Sequence, residues 1–211
     1  MKLITYQFSD RDFDSLDYEN LEYDHMFIQR CPRGLVDKIP YKTEWIQNYA
    51  DPIHSEWSRG LCIIHKKEEG YTETHQFVDV NWNTNTMQGK HYQIFHLNNL
   101  KIINAGISYP DKDMPEEMYI SQAIEVMNLV DDKTILVGDF HAEDHELPYD
   151  LKLDKRSLWN HVHCKSFLKN NGEWLSLQKI ITTPMNHIIS NVDCFNTDRQ
   201  GHHPIQFEIY D

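Results

Sequence analysis

Apolar runs in this chain are short and recur between turn-rich or acidic segments, which restricts the fold to one built mainly of strands. Residues 3–8 read as an opening strand, and residues 24–29 as a second, buried one after an acidic linker. Residues 41–49, with Trp45, Ile46 and Tyr49 at helical spacing behind Pro40, predict a short helix. Further strands are expected over 60–65, 76–81, 92–96 and 101–106, with the Asn98-Asn99 pair suited to a hairpin turn. From Pro115 the period changes. Glu116 and Glu117 suit the first turn of a helix, and Ile120, Ile124, Met127 and Val130 recur along one face of it. Past Asp131-Asp132 the chain enters a buried strand over 134–137. A short helix over 154–162 and strands over 176–181, 187–190 and 205–210 complete the pattern. Strand-rich halves separated by helices, without an internal repeat, predict an α/β sandwich of sheets flanked by helices.

Composition sets the outer bounds. A chain of 211 residues, 40% hydrophobic, can bury one sizeable core, and no composition shift divides it, so one domain over 1–211 is expected. No apolar run approaches the roughly 18 residues of a membrane span, and the N-terminus leads into acidic residues without a signal-peptide core. A cytoplasmic protein with no membrane partner is the expectation. Cys31, Cys62, Cys164 and Cys194 lack CxxC spacing and read as free thiols. A formal charge of -13 repels a phosphate backbone at long range, and Lys152, Lys155, Arg156, Lys165 and Lys169 are too interleaved with acids to offset it. Nucleic acid is therefore disfavoured, and a protein partner with basic character suits the charge better. Residues 10–23, where Phe13, Tyr18 and Tyr23 alternate with carboxylates, form a candidate docking patch.

Two segments carry the chemistry: Ile135-Leu136-Val137-Gly138-Asp139-Phe140-His141 and Gly201-His202-His203-Pro204-Ile205. They resemble the Gly-Asp-Phe-Asn and Ser-Asp-His-x-Pro-Ile turns of the endonuclease/exonuclease/phosphatase superfamily, the DNase I-like phosphodiesterases. Other segments follow the family's order. Residues 1–8 are similar to its opening strand, and 23–30 to Pro-Asp-Ile-Ile-x-Leu-Gln-Glu. Residues 58–64 are similar to the Arg-Gly-Val-Ala-Ile-Leu strand, 100–108 to the strand ending in Asn-x-His-Leu, and 185–190 to Asp-His-Ile-x-x-Ser. The resemblance implies a four-layered sandwich in which two mixed β-sheets pack face to face with helices outside.

In active members the Asn of the first strand and the Glu of Gln-Glu hold magnesium, helped by the Asp of Ser-Asp-His. The Asp of Gly-Asp-Phe-Asn orients the nucleophile, its Asn contacts the phosphate, and two histidines complete the pocket. Carried over by position, these places hold Gln7, Arg30, His202, Asp139 and His141, with Gly106 where the histidine after the central strand would be. Asn186 replaces the Asp of Asp-His-Ile. Only Asp139 and His203 match. An arginine cannot shed its proton to become a metal ligand, so Arg30 moves the local charge by two units against magnesium. A non-catalytic pseudonuclease that acts by binding, with no cofactor, is the leading expectation. The alternative is a metal-dependent phosphodiesterase rebuilt on Asp139, His141, His202 and His203, a donor set suited to zinc or manganese. In a third arrangement Arg30 pairs with Asp139 and fills the vacated metal position.

Overall fold

Inward-facing residues change from apolar to polar along each central strand, always at the same end, and this gradient organises the molecule. The computed structural model describes residues 1–8, 19–49, 54–55, 58–78, 89–107, 116–141, 160–161, 166–175, 178–182, 189–195 and 201–210. In chain order the elements are β1 (Lys2–Gln7), β2 (His25–Pro32), α1 (Arg33–Val36), β3 (Lys42–Tyr49), β4 (Arg59–His65), β5 (Tyr71–Gln76), β6 (His91–Leu97), β7 (Leu100–Gly106) and α2 (Glu116–Asn128). They continue with β8 (Thr134–Asp139), β9 (Asn160–His161), β10 (Phe167–Leu168), β11 (Trp174–Leu175), β12 (Gln178–Thr182), β13 (Ile189–Cys194), β14 (Gly201–His202) and β15 (Ile205–Ile209).

One six-stranded sheet runs β13-β15-β1-β2-β4-β3, a second runs β5-β6-β7-β8-β12-β9, and a three-stranded sheet runs β11-β10-β14. Both large sheets are mixed: β1 is parallel to β2 and β7 to β8, while their other pairings are antiparallel. The apolar core lies in three layers. Leu3, Phe27, Ile63, Phe95, Ile102, Ile135, Val137, Ile180 and Phe207 fill the space between the two large sheets. Tyr119, Ala123, Val126 and Met127 of α2 cover the outer face of the second sheet. Leu35 and Val36 of α1, with Tyr23 and Tyr41, lie over the outer face of the first. Helix, sheet, sheet and helix thus form four layers, as the strand-rich pattern predicts.

Several elements differ from the sequence expectation. Residues 42–49 form an edge strand, not a helix, because β4 offers a partner along its full length and Thr, Trp, Ile and Tyr suit a pleated surface. Trp45 anchors it by donating Nε1–H to the Cys31 carbonyl at 3.1 Å. Strand β5 ends at Gln76, where the expected strand began; its polar sequence gives no hydrophobic signal, and it is held by six register pairs with β6. Of the expected stripe Met127 and Val130 are buried, whereas Ile120 and Ile124 are only partly covered; Tyr119, Gln122, Ala123 and Val126 complete the buried face of α2, which is rotated toward them. Of the helix expected over 154–162, residues 160–161 are a strand and the rest lie outside the described residues. Strand β13 runs further than the expected end at residue 190, to Cys194, with a bulge between Ser190 and Asp193, and residues 187–188 lie outside the described residues. The Asn98-Asn99 hairpin turn is present, with Asn98 at φ 52. Tyr23 of the candidate docking patch is buried beneath Lys66, whose Nζ lies 4.3 Å from the ring centroid, while Phe13 and Tyr18 lie outside the described residues. Cys31 and Cys62 are free and buried, and Cys164 lies outside the described residues.

Two glycines test the packing. A Cβ at Gly138 would strike the Ala105 carbonyl oxygen on the parallel neighbour, whereas one at Gly106 would make ordinary contacts at 3.6 Å to Leu61 and 3.7 Å to Gln29. Gly138→Ala is expected to lower stability by about 1–3 kcal/mol, and Gly106→Ala to be neutral or to stabilise by roughly 0.4–1 kcal/mol; urea denaturation of the two variants checks both. At the end of the inter-sheet layer opposite the polar one, the Nδ1 atoms of His25 and His65 lie 3.0 Å apart, both residues buried against Phe95. Burial, and then the charge of His65, push His25 down from 6.5 to about 4, and burial lowers His65 too. Because the folded values lie below the unfolded one, the unfolded chain binds the extra protons. Stability from this pair is full above pH 6.5 and lost as the pH falls through about 4. The urea midpoint is expected to drop across that window, and less steeply in His25→Leu.

Candidate active site

The polar end of the inter-sheet layer lies at the carboxyl ends of β1, β2, β7 and β8. On β1 the inward residues run Leu3, Thr5, Gln7; on β2, Phe27, Gln29; on β7, Ile102, Asn104, Gly106; on β8, Ile135, Val137, Asp139. Buried amides join the sheets here. Gln29 donates Nε2–H to Asn104 Oδ1 at 2.7 Å and to Thr5 Oγ1 at 3.2 Å. Asn104 donates Nδ2–H to Gln93 Oε1 at 3.0 Å, and Gln93 donates to the Glu44 carbonyl at 2.9 Å. The chain of donors crosses from the first sheet to the second and back, tying β1, β2, β3, β6 and β7 beneath the site.

Above this floor is a cavity of about 30 Å³ lined by Gln7, Gln29, Arg30, Asn48, Tyr49, Arg59, Gly60, Leu61, Gly89, Gly106, Ile107 and His141. Arg30 enters it because β2 carries a bulge: its pairing with β4 shifts between Ile28 and Cys31, and Arg30 takes a left-handed φ of 55. His141 does the same at the end of β8, at φ 52. Left-handed backbone costs a non-glycine residue on the order of 1–3 kcal/mol, and such strain gathers at functional sites. Among the described residues the other two non-glycine residues with left-handed backbone, Asn98 and Asn191, are of a type that tolerates it.

Asp139 is fully buried just beneath His141. Its Oδ1 accepts the His141 backbone N–H at 3.0 Å, and its Oδ2 lies 3.2 Å from His141 Nδ1. Burial lowers the His141 pKa, the Asp139 charge opposes this, and the Arg30 charge lowers it further. The ring is therefore neutral at pH 7. The side chain that faces the Asp139 carboxylate is the neutral His141 ring, a polar contact and not an ion pair, whereas the sequence suggested Arg30 there.

Gln7, Arg30, Gly106 and His141, four positions singled out in the sequence, thus share one cleft, with Asp139 under it. His203 is buried in the link between β14 and β15; its Nδ1 lies 3.1 Å from the Phe195 carbonyl, and its backbone N–H donates to the Ser166 carbonyl at 2.7 Å. His202 belongs to the three-stranded sheet, its ring packed on Phe167 with centroids 4.7 Å apart. Asn186 lies outside the described residues. Among the described residues no three His, Cys, Asp or Glu side chains gather into a metal-holding group. The cleft's described lining has no carboxylate and two guanidiniums, a donor set that does not fit a hard divalent cation.

Sequence reasoning missed Arg59, Asn48 and the Gln29–Asn104–Gln93 chain. Asn48 lies on the strand misread as a helix. The amides were legible only as polar residues at inward positions of otherwise apolar strands.

No family model matches the sequence, and no curated protein matches it. Solved structures do match in fold. An endonuclease/exonuclease/phosphatase family protein from Leptotrichia buccalis has a TM-score of 0.69 at 10% identity, with 100% of each chain covered. One from Bacteroides vulgatus has a TM-score of 0.66 at 10% identity, covering 99% of this chain and 98% of its own. The human Nocturnin catalytic domain, solved with a bound sulfate anion, has a TM-score of 0.64 at 14% identity, covering 100% of this chain and 94% of its own.

The carboxylate beneath the cleft can be tested directly. Asp139→Ala removes the acceptor for the His141 N–H and is expected to cost about 1–3 kcal/mol, while Asp139→Asn keeps that acceptor and costs less; chemical denaturation separates them. With two mixed sheets face to face, helices on both outer faces and neighbours of this kind over its whole length, the chain has the DNase I-like α/β sandwich fold.

Proposed function

We propose that this is a DNase I-fold protein that acts by binding and does not run metal-dependent phosphodiester hydrolysis. The support is a reversal of charge. Where the resemblance puts the metal-holding carboxylate stands Arg30, with Arg59 lining the same cleft, and the described lining residues include no carboxylate. Two guanidiniums raise the electrostatic cost of bringing in a divalent cation and supply no lone pair to bind it. Gly106 stands where a histidine would complete the pocket, and its backbone leaves room for a side chain, so steric need does not explain the replacement. A net charge of -13 makes a protein with a basic face the partner best matched to the exterior.

The competing reading is a phosphodiesterase rebuilt on Asp139, His141, His202 and His203 around zinc or manganese. The Asp139–His141 contact at 3.2 Å favours it, since a carboxylate behind an imidazole can orient a base.

The deciding experiment assays the purified full chain on a phosphodiester substrate with magnesium, manganese and zinc supplied in turn. No turnover above buffer is expected with any of them. Turnover that disappears in Asp139→Ala would overturn the binding reading.

A further inference from the structure

We propose that strand β5 pairs with β5 of a second copy of the chain, about a two-fold axis through Thr74, so that the second sheets of two molecules join edge to edge. The surface lies apart from the cleft, and the inference does not depend on what the cleft binds.

A sheet edge offers a row of N–H and C=O groups to any other strand, and soluble proteins blunt their edges with bulges, short strands, lysine or proline. Among the described residues the other edges are blunted. Strand β3 is bulged between Gln47 and Tyr49 and β13 between Ser190 and Asp193, while β9, β11 and β14 are two residues long. Strand β5 is six residues long, pairs with β6 in unbroken register, and holds no lysine, arginine or proline; its one carboxylate is Glu73. Exposed apolar side chains flank it, Tyr71 at 57% and Val78 at 84%.

Backbone alternation shows which groups face out. Phe77 donates its N–H at 3.0 Å to the carbonyl of Lys90, the residue opposite it when the β5–β6 register is continued. Hydrogen-bonded and non-hydrogen-bonded pairs alternate along an antiparallel ladder. Tyr71, Glu73 and His75 therefore bond to β6, and Thr72, Thr74 and Gln76 turn their N–H and C=O outward. An antiparallel second copy must set outward residues against outward residues, and the registers that keep most of the strand paired are centred on Glu73, Thr74 or His75. The first puts two carboxylates directly opposite each other, which is repulsive, and the last puts two imidazoles so. Centred on Thr74, the ladder sets Thr72 against Gln76 of the second copy and Glu73 against His75 of the second copy, a carboxylate facing an imidazole on both sides of the axis.

These side chains are already held in place. Tyr71 stacks on His96 with centroids 4.5 Å apart, and His75 on Tyr92 at 5.3 Å. Glu73 Oε2 lies 3.3 Å from His75 Nε2 and 3.5 Å from His96 Nε2, which leaves Oε1 to accept from the second copy. Less freedom is then lost on association. Antiparallel pairing also brings Tyr71, at the start of one strand, to the end of the other, beside the exposed Val78. The contact is isologous, so it consumes both edges and closes at two copies. The charge of -13 on each copy opposes approach, and at physiological ionic strength it is screened over about 8 Å.

The test is sedimentation equilibrium of the full chain over a concentration series at roughly 0.15 M salt. A reversible equilibrium is expected, the mass rising from 25.2 kDa toward twice that value. Thr74→Pro removes an outward N–H at an edge position, where proline is tolerated, and is expected to keep a urea midpoint near the wild-type one while holding the chain at 25.2 kDa. His75→Glu sets carboxylates against each other on both sides of the axis and is expected to raise the dimer Kd about tenfold. Adding Glu73→His to it is expected to restore association, a rescue that only the register centred on Thr74 predicts. Should Thr74→Pro fail to fold, His75→Glu and its rescue decide. A wild-type chain that stays monomeric, the outcome if β5 takes a strand of a different protein, overturns the proposal, as do species larger than a dimer. So does a dimer that persists in folded Thr74→Pro, that is undiminished in His75→Glu, or that Glu73→His does not rescue.

Discussion

The two sheets are held together at one end by methyls and rings and at the other by amides, and the site depends on that division. At the apolar end Phe27, Phe95 and Phe207 are completely buried, each stabilising by roughly 1.5–3 kcal/mol. At the polar end each amide hydrogen bond of the Gln29–Asn104–Gln93 chain contributes only about 1 kcal/mol net. An amide left unpaired there would cost as much or more, so the chain specifies geometry more than it adds stability. It fixes the spacing of β2 against β7, and with it the distance between Arg30, at the end of one sheet, and Gly106 and His141, at the end of the other.

That division also explains how much could be read from the sequence. Strands β1, β2, β7 and β8 were legible as buried strands because each carries a short continuous apolar run, such as Met26-Phe27-Ile28 and Ile135-Leu136-Val137, and the order of motifs from Gln7 to His203 pointed to the fold. Edge strands were less legible. Residues 42–49 match helical and strand periods equally well, and the choice is made by β4, a partner no local window contains. Strand β5 is exposed and polar, so its pairing with β6 leaves no hydrophobic trace. In α2 a rotation of the buried face followed from Tyr119 reaching the Phe140 carbonyl at 2.9 Å and Gln122 the Gly89 carbonyl at 2.8 Å, both tertiary contacts.

The site was legible as a set of positions and not as an arrangement. Sequence order alone placed Gln7, Arg30, Gly106, Asp139 and His141 together. It did not show that Asp139 would face His141, because that depends on a left-handed residue two positions along the turn, which brings the backbone N–H onto Oδ1 and the ring onto Oδ2. Arg59 was hidden for a different reason: its approach to Arg30 arises from the antiparallel pairing of β2 and β4 and from the bulge that displaces Arg30 from regular alternation.

A buried carboxylate beside two cleft-lining arginines is an electrostatic balance set by depth. Asp139 lies below the floor and is engaged by His141, while Arg30 and Arg59 line the space above. Turned under His141, the carboxylate steadies the left-handed turn and stays out of the cleft that the two arginines line. The fold can therefore keep its most recognisable acidic residue while an arginine stands at the place where the resemblance puts a metal ligand.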